Sequence, residues 1–498
     1  MRKTASSPTL TVAFMAGFCS AFAAGAAGQT QSAPATQSGS VPAGPNLILI
    51  LTDDQRWDTL GCTGHPFIRT PTIDRLARDG VRFENAFVIT PVCAPSRATI
   101  LTGRSTFAHG VLNNDGVLPR REKTIATYLK QAGYQTAFLG KYHLGRNSQP
   151  KPGWDHWVEY TAPQEGGRGS TYRNAVFTVD GQAVPRPGFS TDVLAEYAVD
   201  WIGRPRDAPF FLLLALRNAH ARWLPPERHR ALYTDAPLRL PTSYRDPVER
   251  LPRFIRGEQT APPIIPADWM ETFYEGAREK YTDDTLPRLL LDYARMIPSI
   301  DETVAKICDA LRARGLGNNT VILYTSDNGL LAGEHGILGK GLPYEPSIRV
   351  PLILYDPRAH DGGRRLKQQV LNLDLAPTVL ELAGLTPPPE MTGRSLLPLL
   401  ADPQIACRQD WLIYSHVPPD ARQRPDYIGL RSEQWKYVRY LRGGLEEELF
   451  DLRGDPDERC NLAGSPQHVA RLEQFRARMR ELMQADNLAA AWFEPFED

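Results

Sequence analysis

The sequence has no excess of charge of either sign and contains little cysteine. Its 498 residues include 57 Lys and Arg against 57 Asp and Glu, so the formal net charge at pH 7 is zero. A chain without a general positive field is not expected to bind nucleic acid or a membrane surface, and any attraction for an anionic substrate has to be local. Six cysteines are too few for a disulfide-dense scaffold. The length fits one large α/β enzyme domain with a small appendage as well as three equal units.

An apolar run long enough to span a membrane is also lacking. The run over residues 10–24 is shorter than a transmembrane helix, follows Arg2 and Lys3, and ends in small residues. This pattern predicts a signal peptide over residues 1–28, with cleavage between 24 and 29, and export to the periplasm or the medium without a transmembrane segment. Residues 29–43 are polar and aperiodic, which predicts a disordered leader.

An oxidising compartment would permit disulfides. Cys407 and Cys460 are the favoured pair because both fall in the C-terminal region, and four free thiols at 62, 308, 407 and 460 are the alternative.

Apolar strands alternate with helical patterns through the first 400 residues. Strands are predicted at residues 45–52, 135–139, 210–216, 321–325 and 350–355, and helices at 122–131, 289–314 and 373–384. Continuous apolar strands are typical of a mostly parallel sheet that is buried on both faces. The prediction is therefore an α/β fold with a large mixed, mostly parallel sheet flanked by helices.

Three other regions differ from this pattern. Residues 150–185 are rich in Gly, Pro and Arg, which favours loops over the site, and residues 225–284 are predicted to be a long irregular excursion that shapes the substrate pocket. Residues 401–498 contain short alternating strands and one helix, which predicts a small antiparallel sheet plus helix as a C-terminal α+β subdomain after a catalytic domain at 44–400.

Polar residues follow four of the predicted strands. They are Asp53 and Asp54, Lys141 and His143, His220, and Asp327 and Asn328. Ligands of open α/β sheets bind at the carboxyl ends of the strands. Two adjacent carboxylates repel each other unless a hard cation joins them, although Asp is also common in the turns that end strands.

The stretch Cys-Ala-Pro-Ser-Arg at residues 93–97 precedes a predicted helix. Ser96 is predicted to cap this helix, which would place Cys93 beside unpaired N–H groups and the positive end of the helix dipole. Arg97 adds a fixed positive charge one turn after Cys93. The alternative is an inert buried thiol beside a helix cap.

These motifs resemble those of the type I sulfatases. Cys-x-Pro-x-Arg with Leu-Thr-Gly-Arg at 101–104, Gly-Lys-x-His-x-Gly at 140–145 and the strand ending in Asp53-Asp54 occur in the family's order. The resemblance implies an alkaline-phosphatase-like fold and oxidation of Cys93 to Cα-formylglycine by a maturation enzyme, with the aldehyde hydrate as nucleophile. It also implies that Lys141 and His143 contact the sulfate and the hydrate.

The same resemblance implies one Ca²⁺ per chain, held by Asp53, Asp54, Asp327, Asn328 and the modified Cys93. Oxygen donors suit Ca²⁺, whereas the His and Cys ligands that zinc prefers are not clustered in this way. Lys340 matches a sulfate-binding lysine. His220 matches a histidine at the scissile ester oxygen, although Ala219 and Arg222 replace the prolines that are usual around it.

The function implied is a sulfuric ester hydrolase that acts on a sulfated carbohydrate, such as a glycosaminoglycan. The alternatives are an arylsulfatase or choline-sulfatase-like enzyme, a phosphonate or phosphate ester hydrolase, and a sulfated-glycan binder without turnover.

Overall fold

The apolar strand at residues 46–52 lies near the centre of a ten-stranded sheet. The structure is a computed structural model that describes residues 44–145, 147–161, 172–252, 285–359, 362–405, 408–416, 426–441, 446–486 and 488. The described residues all belong to one compact unit, residues 41–498. The predicted signal peptide and leader lie outside the described residues.

Strands up to residue 371 form the large sheet and one small ribbon. They are β1 (Asn46–Thr52), β2 (Val81–Phe87), β3 (Gln135–Gly140), β4 (His156–Tyr160), β5 (Val176–Val179), β6 (Gln182–Pro185), β7 (Phe210–Ala215), β8 (Thr320–Ser326), β9 (Leu331–Ala332), β10 (Leu338–Gly339), β11 (Arg349–Tyr355) and β12 (Arg364–Leu371). β9 pairs with β10, and the other ten form the sheet in the order β12-β2-β11-β8-β1-β7-β3-β4-β5-β6. The central pairs from β8 to β4 are parallel, so their carboxyl ends share one edge.

Helices cover both faces of this sheet. They are α1 (Pro71–Asp79), α2 (Cys93–Thr102), α3 (Thr106–His109), α4 (Ile125–Gln131), α5 (Ser190–Gly203), α6 (Thr285–Ala313), α7 (Glu345–Ile348), α8 (Leu375–Leu382) and α9 (Leu397–Ala401). Alternate residues of β1 enter different cores because successive side chains of a strand point to opposite faces. Ile48 and Ile50 pack in one core with α5 and α6, and Leu47 and Leu49 pack in the other with α2, α4 and α8.

The C-terminal region forms a separate antiparallel sheet, as predicted. Its elements are β13 (Asp410–Ser415), β14 (Tyr427–Ser432), β15 (Trp435–Tyr440), β16 (Glu446–Asp451) and α10 (Val469–Ala485). A third core joins Ile413 and Met479 of this region to Phe87 and Leu371 of the large sheet. The fold class is confirmed, while the division after residue 400 stays a prediction.

The expectation of loops over residues 150–185 is wrong. β4, β5 and β6 lie in this stretch and extend the large sheet at one side. All five residues of β4 are buried, but His156 and Glu159 interrupt its apolar pattern, and the surrounding Gly and Pro favour a loop assignment. Residues 162–171 lie outside the described residues.

The first part of the predicted excursion is irregular. Residues 225–252 contain two single 3₁₀ turns, Glu227–His229 and Val248–Arg250, and residues 253–284 lie outside the described residues.

No helix in the described part of the chain combines the length and the apolar character needed to cross a membrane. Among the residues that the structure describes, Cys62, Cys93, Cys308 and Cys460 form no disulfide. Cys407, the predicted partner of Cys460, lies outside the described residues.

Candidate active site

The polar residues that follow β1, β3, β7 and β8 meet at one edge of the sheet. These four strands are parallel neighbours, and their pairing places Thr52 beside Ser326 and Gly140 beside Ala215. Each strand therefore ends at the same level. The turns that follow the strands therefore bring the predicted polar residues together at this edge.

Helix α2 begins at Cys93, three residues earlier than the predicted Ser96 cap. Val92 is the extended residue before the helix, and the Ser96 N–H donates to the Val92 carbonyl oxygen at 3.0 Å. Pro95 fits because the first turn of a helix needs no N–H donor from it. The Ser96 hydroxyl accepts a hydrogen bond from Asn372 Nδ2 at 2.9 Å instead of capping the helix. Cys93 thus lies in the first turn, with Arg97 one turn on.

Asp53 lies between the cationic side chains of the site. The carboxylate is fully buried and lies 2.5 Å from Lys141 Nζ and 3.5 Å from Arg97 Nη2. The Cys93 thiol donates to Asp53 Oδ1 at 3.4 Å. Arg97 Nε also donates to Asp327 Oδ2 at 2.8 Å. One buried guanidinium therefore joins carboxylates from β1 and β8 across a single pocket.

Lys340 enters the same pocket from the segment after β10. Its ammonium donates to Cys93 Sγ at 2.6 Å and contacts Asp54, and it lies 3.9 Å from Asp53 Oδ1. The Lys340 side chain is almost completely buried.

Asp54 occupies a left-handed turn with a φ of 58°, a conformation that Asp tolerates better than most residues. Its N–H donates to Asp327 Oδ1 at 3.3 Å, and the Tyr293 hydroxyl donates to its carbonyl oxygen at 2.9 Å. Asn328 Nδ2 donates to Asp54 Oδ1 at 2.7 Å. These hydrogen bonds fix the turn at Asp54 and link the acidic pair after β1 to the pair after β8.

His220 lies beside Asp54 at the end of β7. Its Nε2 is 3.8 Å from Asp54 Oδ2, and its Nδ1 is 2.5 Å from the Ala221 carbonyl oxygen, so Nδ1 carries a proton and Nε2 faces the carboxylate. Tyr172 supports this turn, since its hydroxyl donates to the carbonyl oxygens of His220 at 2.5 Å and Arg217 at 3.0 Å.

His143 follows β3 in a left-handed conformation with a φ of 59°. Its Nδ1 is buried and has no hydrogen-bond partner among the described residues. Glu159 of β4 accepts a hydrogen bond from the Tyr142 N–H at 3.3 Å and so supports the turn that carries His143. Burial raises the pKa of Glu159 to about 8.

The acidic groups differ in their electrostatics. Burial tends to raise the pKa of Asp53, but Lys141, Arg97 and Lys340 outweigh it and hold this pKa well below its usual range. Burial raises the pKa of Asp54 to about 6 against the pull of Lys340, and burial and the Asp53 charge raise the pKa of Asp327. The carboxylates of Asp53, Asp54 and Asp327 therefore lie close together in a buried pocket, and a bound cation would reduce their mutual repulsion.

The thiol and the imidazoles are held neutral. Burial, followed by the Asp53 charge, raises the pKa of Cys93 to about 12. Burial lowers the pKa of His220 and of His143 well below the usual range, and the charges of Lys141 and Lys340 add to this effect. The pKa of Lys340 is raised: burial opposes its charge, but Asp54 and Cys93 favour it more strongly.

The predicted metal-binding residues suit a hard cation. The Asn328 side-chain oxygen is buried without a hydrogen-bond donor among the described residues, although its Nδ2 has two acceptors. Ligand atoms of Asp53, Asp54, Cys93 and His220 lie within 4.8 Å of one another. An oxygen-rich donor set with an unsatisfied amide oxygen suits Ca²⁺.

Nine of the ten predicted residues form one connected set of contacts, and His143 lies at the adjoining turn. Sequence reasoning missed Tyr172, Glu159 and Tyr293. Their supporting contacts are made across elements distant in the chain. The only local signals were Glu159 within the buried strand β4 and Tyr293 within α6, and Tyr172 had none.

The mixed sheet and the buried cations and carboxylates at its carboxyl edge define a hydrolase of the alkaline-phosphatase-like superfamily. A family model described as Sulfatase matches residues 45–385, and one described as N-sulphoglucosamine sulphohydrolase, C-terminal, matches residues 333–485. The chain therefore belongs to the sulfatase family and is a sulfuric ester hydrolase.

The chain is similar in sequence to known sulfatases along most of its length. An N-acetylglucosamine-6-O-sulfatase of Bacteroides thetaiotaomicron is 27% identical over 486 residues, covering 88% of this chain and 86% of the relative. An arylsulfatase of Clostridium perfringens is 30% identical over 480 residues, covering 87% and 93%. The fold is also similar to the solved structure of BT4656 in complex with its substrate D-glucosamine-2-N,6-O-disulfate, with a TM-score of 0.80. The two sequences are 26% identical, and the match covers 89% of this chain and 98% of that one.

Proposed function

We propose that this protein hydrolyses sulfate esters of a carbohydrate with a formylglycine at position 93 and one bound Ca²⁺. The observation that carries the proposal is the surrounding of Cys93, where Lys340 and Asp53 contact the thiol while Arg97 and Lys141 pair with the same Asp53. A buried pocket with three cations in contact with acidic groups suits a sulfuryl group whose charge must be stabilised during reaction.

Asp53, Asp54, Asp327 and Asn328 would hold the Ca²⁺. When bound, the ion would supply Lewis-acid polarisation of the sulfate oxygens. The unsatisfied oxygen of Asn328 and the raised pKa of Asp54 support this assignment.

Cys93 Sγ stands where the hydroxyl oxygens of the modified side chain would be. When formed, the hydrated aldehyde would supply a nucleophile that can be regenerated. Its place in the first turn of α2 also exposes it to the positive end of the helix.

The side chains of this protein divide the remaining tasks. Arg97, Lys141 and Lys340 bind the sulfate oxygens, and the Asp327 carboxylate accepts a proton from the attacking hydroxyl. Either Lys340 Nζ gives a proton to the departing oxygen, or His220 does so after its Nε2 has taken one up. His143 removes a proton in the step that releases sulfate.

The carbohydrate substrate is supported by the relatives. The first relative is named for sulfate on N-acetylglucosamine, and the solved neighbour holds a disulfated glucosamine. An arylsulfatase or choline-sulfatase-like preference is the competitor, which the clostridial arylsulfatase supports. A panel of sulfated monosaccharides, an aryl sulfate and choline sulfate, compared by kcat/KM, decides between them. A higher kcat/KM for the small esters than for every sugar would overturn the carbohydrate assignment.

Two further candidates have separate tests. A phosphonate or phosphate ester hydrolase would cleave a phosphodiester faster than a sulfate ester in a side-by-side assay. A glycan binder without turnover would release no sulfate and would bind equally well after Cys93→Ala. Mass spectrometry of the tryptic peptide 83–97 tests the conversion of the thiol to an aldehyde by the maturation enzyme.

We further infer export to the periplasm or the medium. The charged start, the short apolar run and the small residues before position 29 support a cleaved signal peptide. N-terminal sequencing of the mature protein should begin between residues 25 and 29, and an intact start at Met1 in the exported fraction would contradict this.

A further inference from the structure

The segment from Gly339 to Glu345 carries Lys340 into the active site and then contacts the C-terminal sheet. Gly339 and Gly341, on either side of Lys340, have φ values of 137° and 87°, a region that residues with a side chain rarely adopt. Glycines restrict the backbone less than other residues do, so the position of Lys340 depends on what holds its neighbours. Gly339 pairs with Leu331 of β9, the Gly341 N–H donates to Ser347 Oγ at 3.2 Å, and further ties come from the C-terminal region.

Lys436 of β15 supplies the first of these ties. Its side chain is fully buried, and its ammonium donates to the Pro343 carbonyl oxygen at 2.7 Å, lies 3.2 Å from Glu345 Oε1, and contacts Glu458. The ammonium donates hydrogen bonds to the first two of these oxygen atoms and forms an ion pair with Glu458. A buried charge of this kind is costly unless it is fully paired, so the three partners hold one another in place.

Neighbouring residues strengthen the same attachment. Arg431 of β14 pairs with both carboxylate oxygens of Glu345, at 3.2 and 3.0 Å. The Glu345 N–H donates to Glu458 Oε2 at 2.7 Å, and the Tyr344 hydroxyl donates to Glu448 Oε1 at 3.0 Å. Positions 343, 344 and 345 are thus all bound to the C-terminal region, only three to five residues after Lys340.

We propose that Lys436 is a positioning residue for Lys340, so that the C-terminal sheet sets the place of one active-site cation through the Pro343 carbonyl. Lys436 touches none of the predicted catalytic or metal-binding side chains; it acts through the backbone between Pro343 and Lys340. The inference rests on the proposed function in one respect, the contact of Lys340 with the sulfate group.

A double-mutant cycle tests this relation. Lys436→Met removes the ammonium and keeps an unbranched side chain, and Lys340→Ala removes the group that is positioned. We expect Lys436→Met to lower kcat/KM roughly tenfold and to raise the inhibition constant of inorganic sulfate by a similar factor. In the Lys340→Ala background the same substitution should change neither quantity by more than about twofold.

Met479→Ala is the matched control. Met479 is fully buried in the core that also contains Leu342 and Tyr344, but it supplies none of the polar ties of the Lys340 segment, so this variant should lower the melting temperature while leaving the inhibition constant of sulfate unchanged. If Lys436→Met does not fold, Glu458→Gln replaces it, because this change weakens the pairing of Lys436 and keeps the size of the side chain.

The outcomes separate the two hypotheses. Equal losses from Lys436→Met with and without Lys340, or an unchanged sulfate inhibition constant, would overturn the positioning role. An unchanged kcat/KM in Lys340→Ala alone would instead contradict the catalytic role proposed for Lys340.

Discussion

The ammonium of Lys340 lies 2.6 Å from Sγ of Cys93, although 247 residues separate them in the chain. Cys93 enters from the first turn of α2, and Lys340 enters from the segment after β10. Their meeting point is also the meeting point of the acidic pairs that follow β1 and β8. The proposed nucleophile therefore lies directly beside a cation that can bind the sulfate it attacks.

Substitution of the nucleophile should separate binding from turnover. We expect Cys93→Ala to lower kcat/KM at least about 10³-fold while sulfated substrate still binds. Cys93→Ser should release the alcohol once per active site and then stop, because a serine sulfate ester lacks the second hydroxyl that expels sulfate. Rapid-mix assays that follow alcohol and sulfate separately check both expectations, and continued sulfate release by the serine variant would contradict them.

Removal of metal should abolish activity reversibly. After treatment with a chelator, Ca²⁺ should restore activity and raise the melting temperature, since a ligand that binds the folded state at about 100 times its Kd stabilises it by about 2.7 kcal/mol. Asn328→Ala should weaken this response because the buried amide oxygen is lost. The Asn372→Ala variant is the control, since Asn372 bonds Ser96 outside the acidic cluster. An equal response to Ca²⁺ in both variants would argue against Asn328 as a ligand.

Arg97 should not tolerate replacement by lysine. The guanidinium reaches Asp53 and Asp327 with different nitrogen atoms, and a single ammonium cannot make both contacts in that geometry. We expect Arg97→Lys to lower kcat/KM roughly 10²-fold, within the range that a lost charge-stabilising donor costs. Steady-state kinetics check this, with circular dichroism to show that the variant is folded. Activity close to that of the parent enzyme would show that charge alone suffices at this position.

Stability should fall as the pH rises from about 4.5 to about 7, and Glu448 should contribute to this fall. Burial raises the pKa of Glu448 to about 7, even though Tyr440 and Tyr344 donate hydrogen bonds to it. The folded protein therefore keeps a proton that the unfolded chain has lost between about pH 4.5 and 7. The free energy of unfolding should decrease across this window by at most about 3 kcal/mol from this group.

Denaturant unfolding at pH 5 and pH 8 measures this change. Glu448→Gln should reduce the difference between the two pH values because the glutamine cannot ionise. Glu481→Gln on the exposed face of α10 should leave the difference as it is in the parent. If Glu448→Gln shows the full pH dependence, the carboxyl of Glu448 is not its source.

Local sequence patterns predicted much of this architecture. The apolar runs at β1, β7 and β8 predict buried strands, and the polar residues after them predict a site at one edge, because strand periodicity and strand ends are properties of neighbouring residues. The start of α2 and the identity of β4 were missed. Both depend on partners elsewhere: Ser96 is bound by Asn372, and β4 is stabilised by pairing with β3 and β5.

The sequence by itself determined the class of chemistry, since the motifs that contain Cys93, Lys141 and the acidic pairs resemble those of the type I sulfatases. Only the tertiary structure decided how these groups are held. The attachment of Pro343 and Glu345 to Lys436, and the bridge that Arg97 makes between Asp53 and Asp327, join segments far apart in sequence. Such contacts leave no local periodicity, because they arise from side chains that meet only after the sheets have packed.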